Sequence, residues 1–147
     1  MGESARMETV AVLGAGTMGH GIAQVFANAG ARVRLYDVDL PRVEKGRAQV
    51  RAGLDRLVAK GKTTQAEVDR ILDAITPATE IAKAVEGATI VIEAIPEDMA
   101  LKVSVFAQVV AAAPADALLG SNTSSLSITE LGAKIGAADR TIGLHFF

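Results

Sequence analysis

The chain has 147 residues, half of them apolar and 3% aromatic, with a net charge of −2 and no cysteine. That length and apolar content support one domain with its own core and argue against disorder, and the slight acidity argues against a general nucleic-acid binder. Without cysteine there is neither a disulfide nor a thiolate metal site, which suits a cytoplasmic protein; no apolar run reaches membrane-spanning length, and no metal site is expected.

Residues 1–7 are polar, lack the apolar centre of a signal peptide, and read as an N-terminal extension before a domain over 8–147. Residues 8–13 read as a buried parallel strand that breaks into Gly14-Ala15-Gly16-Thr17-Met18-Gly19, a Gly-x-Gly-x-x-Gly turn. Each glycine there has a physical task. Gly14 permits the tight turn, Gly16 lets a pyrophosphate approach the backbone, and Gly19 lets the following helix press on the strand. That helix, about 17–29, carries Ile22, Val25, Phe26 and Ala29 as one apolar stripe, and Gly30 stops it. Residues 31–36 form a second strand ending at Asp37, about 20 residues after the glycines, as the dinucleotide fingerprint requires. A carboxylate there accepts the hydroxyls of an adenosine ribose and repels a 2′-phosphate. Val38 and Asp39 follow it with no adjacent base, which favours NAD over NADP.

From about 42 to 75 the pattern gives two helices where one crossover would suffice. The first shows Val43, Val50, Leu54 and Leu57 on one side and ends near Lys60-Gly61. The second opens on the capping-box signature Thr64-Gln65-Ala66-Glu67 and shows Val68, Ile71, Leu72 and Ile75 at helical spacing. The hairpin is rich in Arg and Lys. It reads either as a solvated surface laced with pairs such as Arg51 with Asp55, or as a landing site for a polyanionic substrate tail.

Residues 76–80 are a short candidate strand and 81–86 a turn or two of helix. Residues 88–92 form a clearly buried strand that runs into the loop 93–97. Asp98 is then a candidate N-cap for a helix with Met99, Val103, Phe106 and Val110 along one face. Residues 117–120 read as the next strand, opening into Ser121-Asn122-Thr123-Ser124-Ser125. Ser127 caps a short helix over 128–135, and a further strand starts at 141. The fold class is therefore α/β, a Rossmann-type doubly wound and mainly parallel sheet of order 3-2-1-4, with an inserted basic helical hairpin.

Four blocks at these spacings resemble the N-terminal NAD-binding domain of the 3-hydroxyacyl-CoA and 3-hydroxybutyryl-CoA dehydrogenase family. They are Gly14–Gly19 with Gly21-Ile22-Ala23-Gln24; Glu93-Ala94-Ile95-Pro96-Glu97; Ser121-Asn122-Thr123-Ser124-Ser125-Leu126; and Gly143-Leu144-His145-Phe146-Phe147. The resemblance covers essentially all of 8–147. It implies NAD-dependent oxidation of the 3-hydroxyl of an acyl-CoA. It assigns the pyrophosphate to Gly14–Gly19, the adenosine ribose to Asp37, and the nicotinamide half of NAD to Glu97 and Lys102. Ser124 matches a serine that touches both cofactor and substrate hydroxyl, with Asn122 in the same loop, and His145 matches the catalytic base. Lys60 matches a lysine that contacts CoA, which shifts the hairpin towards the substrate-tail reading, although Gly53 stands where the family has a companion serine. His20 has no role in the family pattern.

The resemblance also implies a chain that continues past Phe147, with a glutamate orienting the catalytic histidine and a C-terminal helical domain. The expectation is thus a Rossmann domain truncated at its C-terminal end, acting either as the cofactor portion of the dehydrogenase or as an isolated NAD-binding module with negligible turnover. Leu144, Phe146 and Phe147 are then expected to lie bare beside an open strand, favouring self-association through 141–147.

Overall fold

The computed structural model describes residues 8–146. The expected extension over 1–7 and the apolar residue Phe147 lie outside the described residues. The elements run β1 (Thr9–Leu13), α1 (Thr17–Asn28), β2 (Arg32–Tyr36), α2 (Leu40–Ala59), α3 (Gln65–Ala74), β3 (Ile75–Ala78), α4 (Ile81–Val85), β4 (Ile90–Glu93), α5 (Met99–Ala112), β5 (Leu118–Ser121), α6 (Ile128–Lys134) and β6 (Thr141–Gly143). Among the described residues the sheet has the order β3-β2-β1-β4-β5-β6, and every pairing is parallel. The expected 3-2-1-4 order is there, extended by two further strands.

A parallel sheet needs cover on both faces, and β1 shows how the sequence provides it. Val10 and Val12 enter one apolar cluster with residues of α1, α2 and α3. Ala11 and Leu13 point the other way, into a cluster with α4, α5 and α6. Each fully buried Val or Leu side chain here contributes about 1.5–3 kcal/mol.

Caps fix the helix starts. Asp39, Thr64, Asp98 and Ser127 each accept a hydrogen bond from the backbone N–H three residues on. The inserted hairpin is α2 followed by α3, with Ile75 passing into β3 rather than ending the helix. Arg47 donates to the Leu72 carbonyl at 3.1 Å, and Arg70 donates to Ala27 and Asn28 carbonyls at 3.2 Å, so the hairpin is tied to itself and to α1.

Three expectations are corrected. The buried face of α1 is Gly19, Ile22, Ala23 and Ala27, while Val25 is 54% exposed. The close approach of Gly19 to Gly14, just past β1, turns the helix so that small side chains meet the sheet. Arg51 and Asp55 form no ion pair among the described residues, where the hairpin's pairs are Arg42–Asp39 and Arg70–Glu67. Leu144 and Phe146 do not lie bare. Both are half-buried against the α1-side cluster, with Leu144 packed over Gly120 and the Phe146 ring edge-on to Phe26 at 6.3 Å. Gly120 and the small face of α1 leave room that these side chains fill.

Candidate cofactor and active site

The site grows from the carboxyl end of β1. Gly14 turns the chain at a φ of 104°, and a methyl group on it would lie 2.7 Å from the Ala94 carbonyl oxygen. Its N–H donates to the Tyr36 carbonyl at 2.8 Å, and the Ala94 N–H donates to Leu13 at 2.8 Å, which brings the ends of β2 and β4 to the turn. Gly19 rests directly on Gly14. Gly16 differs: a Cβ there would meet nothing within 4 Å, so its open side faces free space. No side chain caps α1 at Gly16, which leaves the first-turn N–H groups and the positive helix end to whatever lies above the turn.

Above the turn is a cleft of about 560 Å³, of a size suited to a cofactor. Gly14, Gly16, Thr17 and Met18 form its floor, Asp37, Val38 and Arg42 one side, and Ile95, Pro96, Leu101 and Val105 an apolar opposite side. The Asp37 carboxylate accepts the Ala15 N–H at 2.9 Å and the Val38 N–H at 2.7 Å, so it is held in place at the cleft margin. Each of its oxygens keeps a further lone pair for a ligand hydroxyl.

The second group of residues gathers where β4 and β5 end. Glu93 is fully buried and Lys102 is 1% exposed; the Lys102 ammonium lies 2.7 Å from both Glu93 carboxylate oxygens. It also donates to the Ile95 carbonyl at 3.2 Å and lies 3.2 Å from Glu97. The second oxygen of Glu97 accepts Thr123 and Ser125 hydroxyls, each at 2.7 Å. Burial alone would raise the Glu97 carboxyl, but hydrogen bonds from Thr123, Ser125 and Lys102 outweigh it and hold the group down at about 2. Glu97 is therefore an anion at any physiological pH.

The 121–125 loop is fastened from the other side as well. The Asn122 side-chain oxygen accepts the Phe146 N–H at 2.8 Å, and the Leu144 N–H donates to Ser121 at 2.9 Å. His145, which is exposed, is thereby set on the segment alongside the loop that carries the exposed Ser124.

The structure thus brings Gly14–Gly19 and Asp37 into one cleft, joins Glu97 and Lys102 in one network, and sets Asn122, Ser124 and His145 on adjoining loops. Lys60 stands apart, exposed at the far end of α2, about 30 Å along the helix from the cleft. The reading of the residues missed Glu93, Ser121, Thr123 and Ser125 as a network. It also missed Arg42 as a cleft wall and Gly46, where a Cβ would lie 2.7 Å from the Ala15 carbonyl. A signal for the buried pair was present: Glu93 closes an apolar strand, and Lys102 is the only charged residue of α5.

The family profile described as "3-hydroxyacyl-CoA dehydrogenase, NAD binding domain" matches residues 9–147. The chain belongs to the 3-hydroxyacyl-CoA dehydrogenase family. Within it, the chain is 42% identical over 141 residues to the 3-hydroxyadipyl-CoA dehydrogenase of Escherichia coli K12, covering 96% of this chain and 30% of that protein. It is 43% identical over 140 residues to a probable 3-hydroxybutyryl-CoA dehydrogenase of Bacillus subtilis, covering 95% of this chain and 48% of that protein. The crystal structure of (S)-3-hydroxybutyryl-CoA dehydrogenase from Ralstonia eutropha has a TM-score of 0.92 at 42% identity, covering 97% of this chain and 50% of that one. The chain therefore spans half or less of the length of these family members, and the part it spans is their NAD-binding domain. The open face at Gly16, the uncapped α1 and the carboxylate at Asp37 fit that cofactor. No helix among the described residues is long and apolar enough to cross a membrane.

Proposed function

We propose that this chain is the cofactor-holding portion of an NAD-dependent dehydrogenase that oxidises a (3S)-3-hydroxyacyl-CoA to the 3-oxoacyl-CoA, in the cytoplasm. The observation that carries the reading is the common edge of the sheet. The phosphate turn, the Glu97 network, Ser124 and His145 all follow the carboxyl ends of neighbouring parallel strands, where such sheets bind ligands.

In this reading Gly14, Ala15, Gly16, Thr17, Met18 and Gly19 hold the pyrophosphate and Asp37 the adenosine ribose. Glu97 and Asn122 form the wall on the nicotinamide side; Lys102, expected to contact NAD itself, is 1% exposed and supports Glu97 from behind. Bound NAD supplies the hydride acceptor. His145 takes the proton of the substrate 3-hydroxyl as the C3 hydrogen departs with its electron pair, leaving a ketone. Ser124 donates a hydrogen bond to that same oxygen and so orients it. Lys60, at the exposed end of the basic hairpin, receives a phosphate of the CoA tail.

A second reading rests on the contrast between a well-formed cofactor cleft and the exposed Ser124 and His145: the chain binds NAD with negligible turnover on its own. NADH-linked reduction of acetoacetyl-CoA separates the two. Turnover of about 1 per second or more supports the dehydrogenase reading; tight NADH binding without turnover supports the second. Loss of that turnover in His145→Ala with NADH binding unchanged assigns the base.

We also infer that two copies of the chain pair along β6, where Ile142 is 37% and Leu118 42% exposed beside the last strand among the described residues. Sedimentation that shifts with concentration, and ceases to shift in Ile142→Lys, is the expected result. A concentration-independent monomer counts against it.

A further inference from the structure

Glu93 and Lys102 are an ion pair buried at 0% and 1% exposure. Such a pair carries a desolvation cost that apolar packing avoids. Its contacts show what the pair does. The Glu93 carboxylate receives the Lys102 ammonium, the Ser121 hydroxyl and, at 3.0 Å, the Ile95 N–H. The Lys102 ammonium has three protons, and it faces Glu93, the Ile95 carbonyl and Glu97. Lys102 is thus engaged inside the protein, and its outermost contact is the Glu97 side chain at the site surface.

The same pair reaches the neighbouring loop by a second route. The Ser121 hydroxyl, which donates to Glu93, accepts the Thr123 N–H at 3.2 Å. The Thr123 hydroxyl then donates to Glu97 and accepts the Leu126 N–H at 3.0 Å. Both routes begin at Glu93 and end at Glu97, one through a cation and one through hydroxyls. Asp37, which lines the cleft, is held by the Ala15 and Val38 N–H groups and, among the described residues, shares no hydrogen bond with this network.

We propose that Glu93 and Ser121 are positioning residues of the cofactor site. They hold Lys102 and Thr123 so that Glu97 stands at a fixed place on the wall beside the nicotinamide half, while the adenosine half depends on Asp37 and the glycine turn. The inference rests on the placement of NAD given under Proposed function.

The test is to titrate wild type, Ser121→Ala and the double variant Glu93→Gln/Lys102→Met with NADH and with ADP-ribose, which lacks the nicotinamide ring. Ser121→Ala is the mild change and keeps the test sound if the double variant folds poorly. The expected result is a rise of about tenfold in the Kd for NADH, the scale of one lost hydrogen bond to a charged group, with ADP-ribose affinity moving by less than about threefold. A purely structural role would weaken both ligands together. Parallel weakening, or no change in folded Ser121→Ala, overturns the inference while leaving the cofactor reading intact. A wild-type chain that binds neither ligand overturns both.

Discussion

A methyl group on Gly19 would lie 1.6 Å from the Gly14 carbonyl oxygen, a distance at which backbone must move. Nothing flexible stands between the two, so the strand-to-helix junction cannot absorb the extra carbon. Gly19→Ala is expected to cost about 3 kcal/mol or more and to lower the urea midpoint accordingly. Gly16→Ala is the control. A Cβ there meets nothing within 4 Å, so stability should change by no more than about 1 kcal/mol. NADH affinity should still fall by about tenfold, because the methyl occupies the space the pyrophosphate needs and removes a backbone contact. A Gly16→Ala chain that binds NADH normally would show that the phosphates lie elsewhere.

Asp37 supplies the second prediction. Its carboxylate bears a negative charge at the cleft margin, while Arg42 lines the same cleft and is held only loosely by Asp39 at 3.7 Å. Asp37→Ser removes the repulsion towards a 2′-phosphate and leaves the guanidinium. NADH should bind more weakly, and the preference for NADH over NADPH should shrink by about tenfold or more. Paired titrations with the two cofactors measure the ratio; an unchanged ratio removes Asp37 from the ribose site.

Acidification tests Glu97. Its carboxyl is held down at about 2 in the folded chain against an ordinary 4.5, so its ionised form adds stability that is present above pH 4.5 and drains away as pH falls towards about 2. The side chain is 41% exposed, so solvent screens the effect and its size is modest. Urea midpoints of wild type and Glu97→Gln should differ more at about pH 6 than at about pH 3. A gap that stays constant over that range would mean that Glu97 ionisation is not linked to folding.

The buried pair predicts a characteristic non-additivity. Lys102→Met alone strands the Glu93 carboxylate in the core and should cost about 3–5 kcal/mol. Adding Glu93→Gln removes the stranded charge and should restore a substantial part of that loss. Denaturation of the two single variants and the double variant gives the coupling directly. Additive losses would mean that water reaches Glu93.

Much of this was legible in the residues. The β1–α1 turn, the Asp37 strand end, the capped helix starts and the order of the first four strands follow from short-range patterns that the chain cannot satisfy in other ways. The face of α1 was not. Val25 looks apolar enough to be buried, but the contact between Gly19 and Gly14 sets the rotation and turns Val25 outward. The lone charges of Glu93 and Lys102 were visible in the sequence, but not that they meet, because α5 is apolar around most of its surface and no period marks the face that reaches Glu93. The inward packing of Leu144 and Phe146 depends on the absence of a side chain at Gly120 and on the position of Phe26, both distant in the chain.

The cleft has walls that are strangers in the chain. One follows β1 at Gly14 and the other follows β4 at Ala94, joined where the Ala94 N–H meets Leu13. The intervening segment, with its two-helix insertion, must close before those walls face each other, and long closures of this kind form late and slowly. A half-folded chain therefore has a glycine turn but no cleft. Cofactor capture thus reports the pairing of β1 with β2 and β4, and NADH fluorescence during refolding should rise with that pairing rather than with helix formation. By the same logic, NADH lends its binding energy to the finished fold alone.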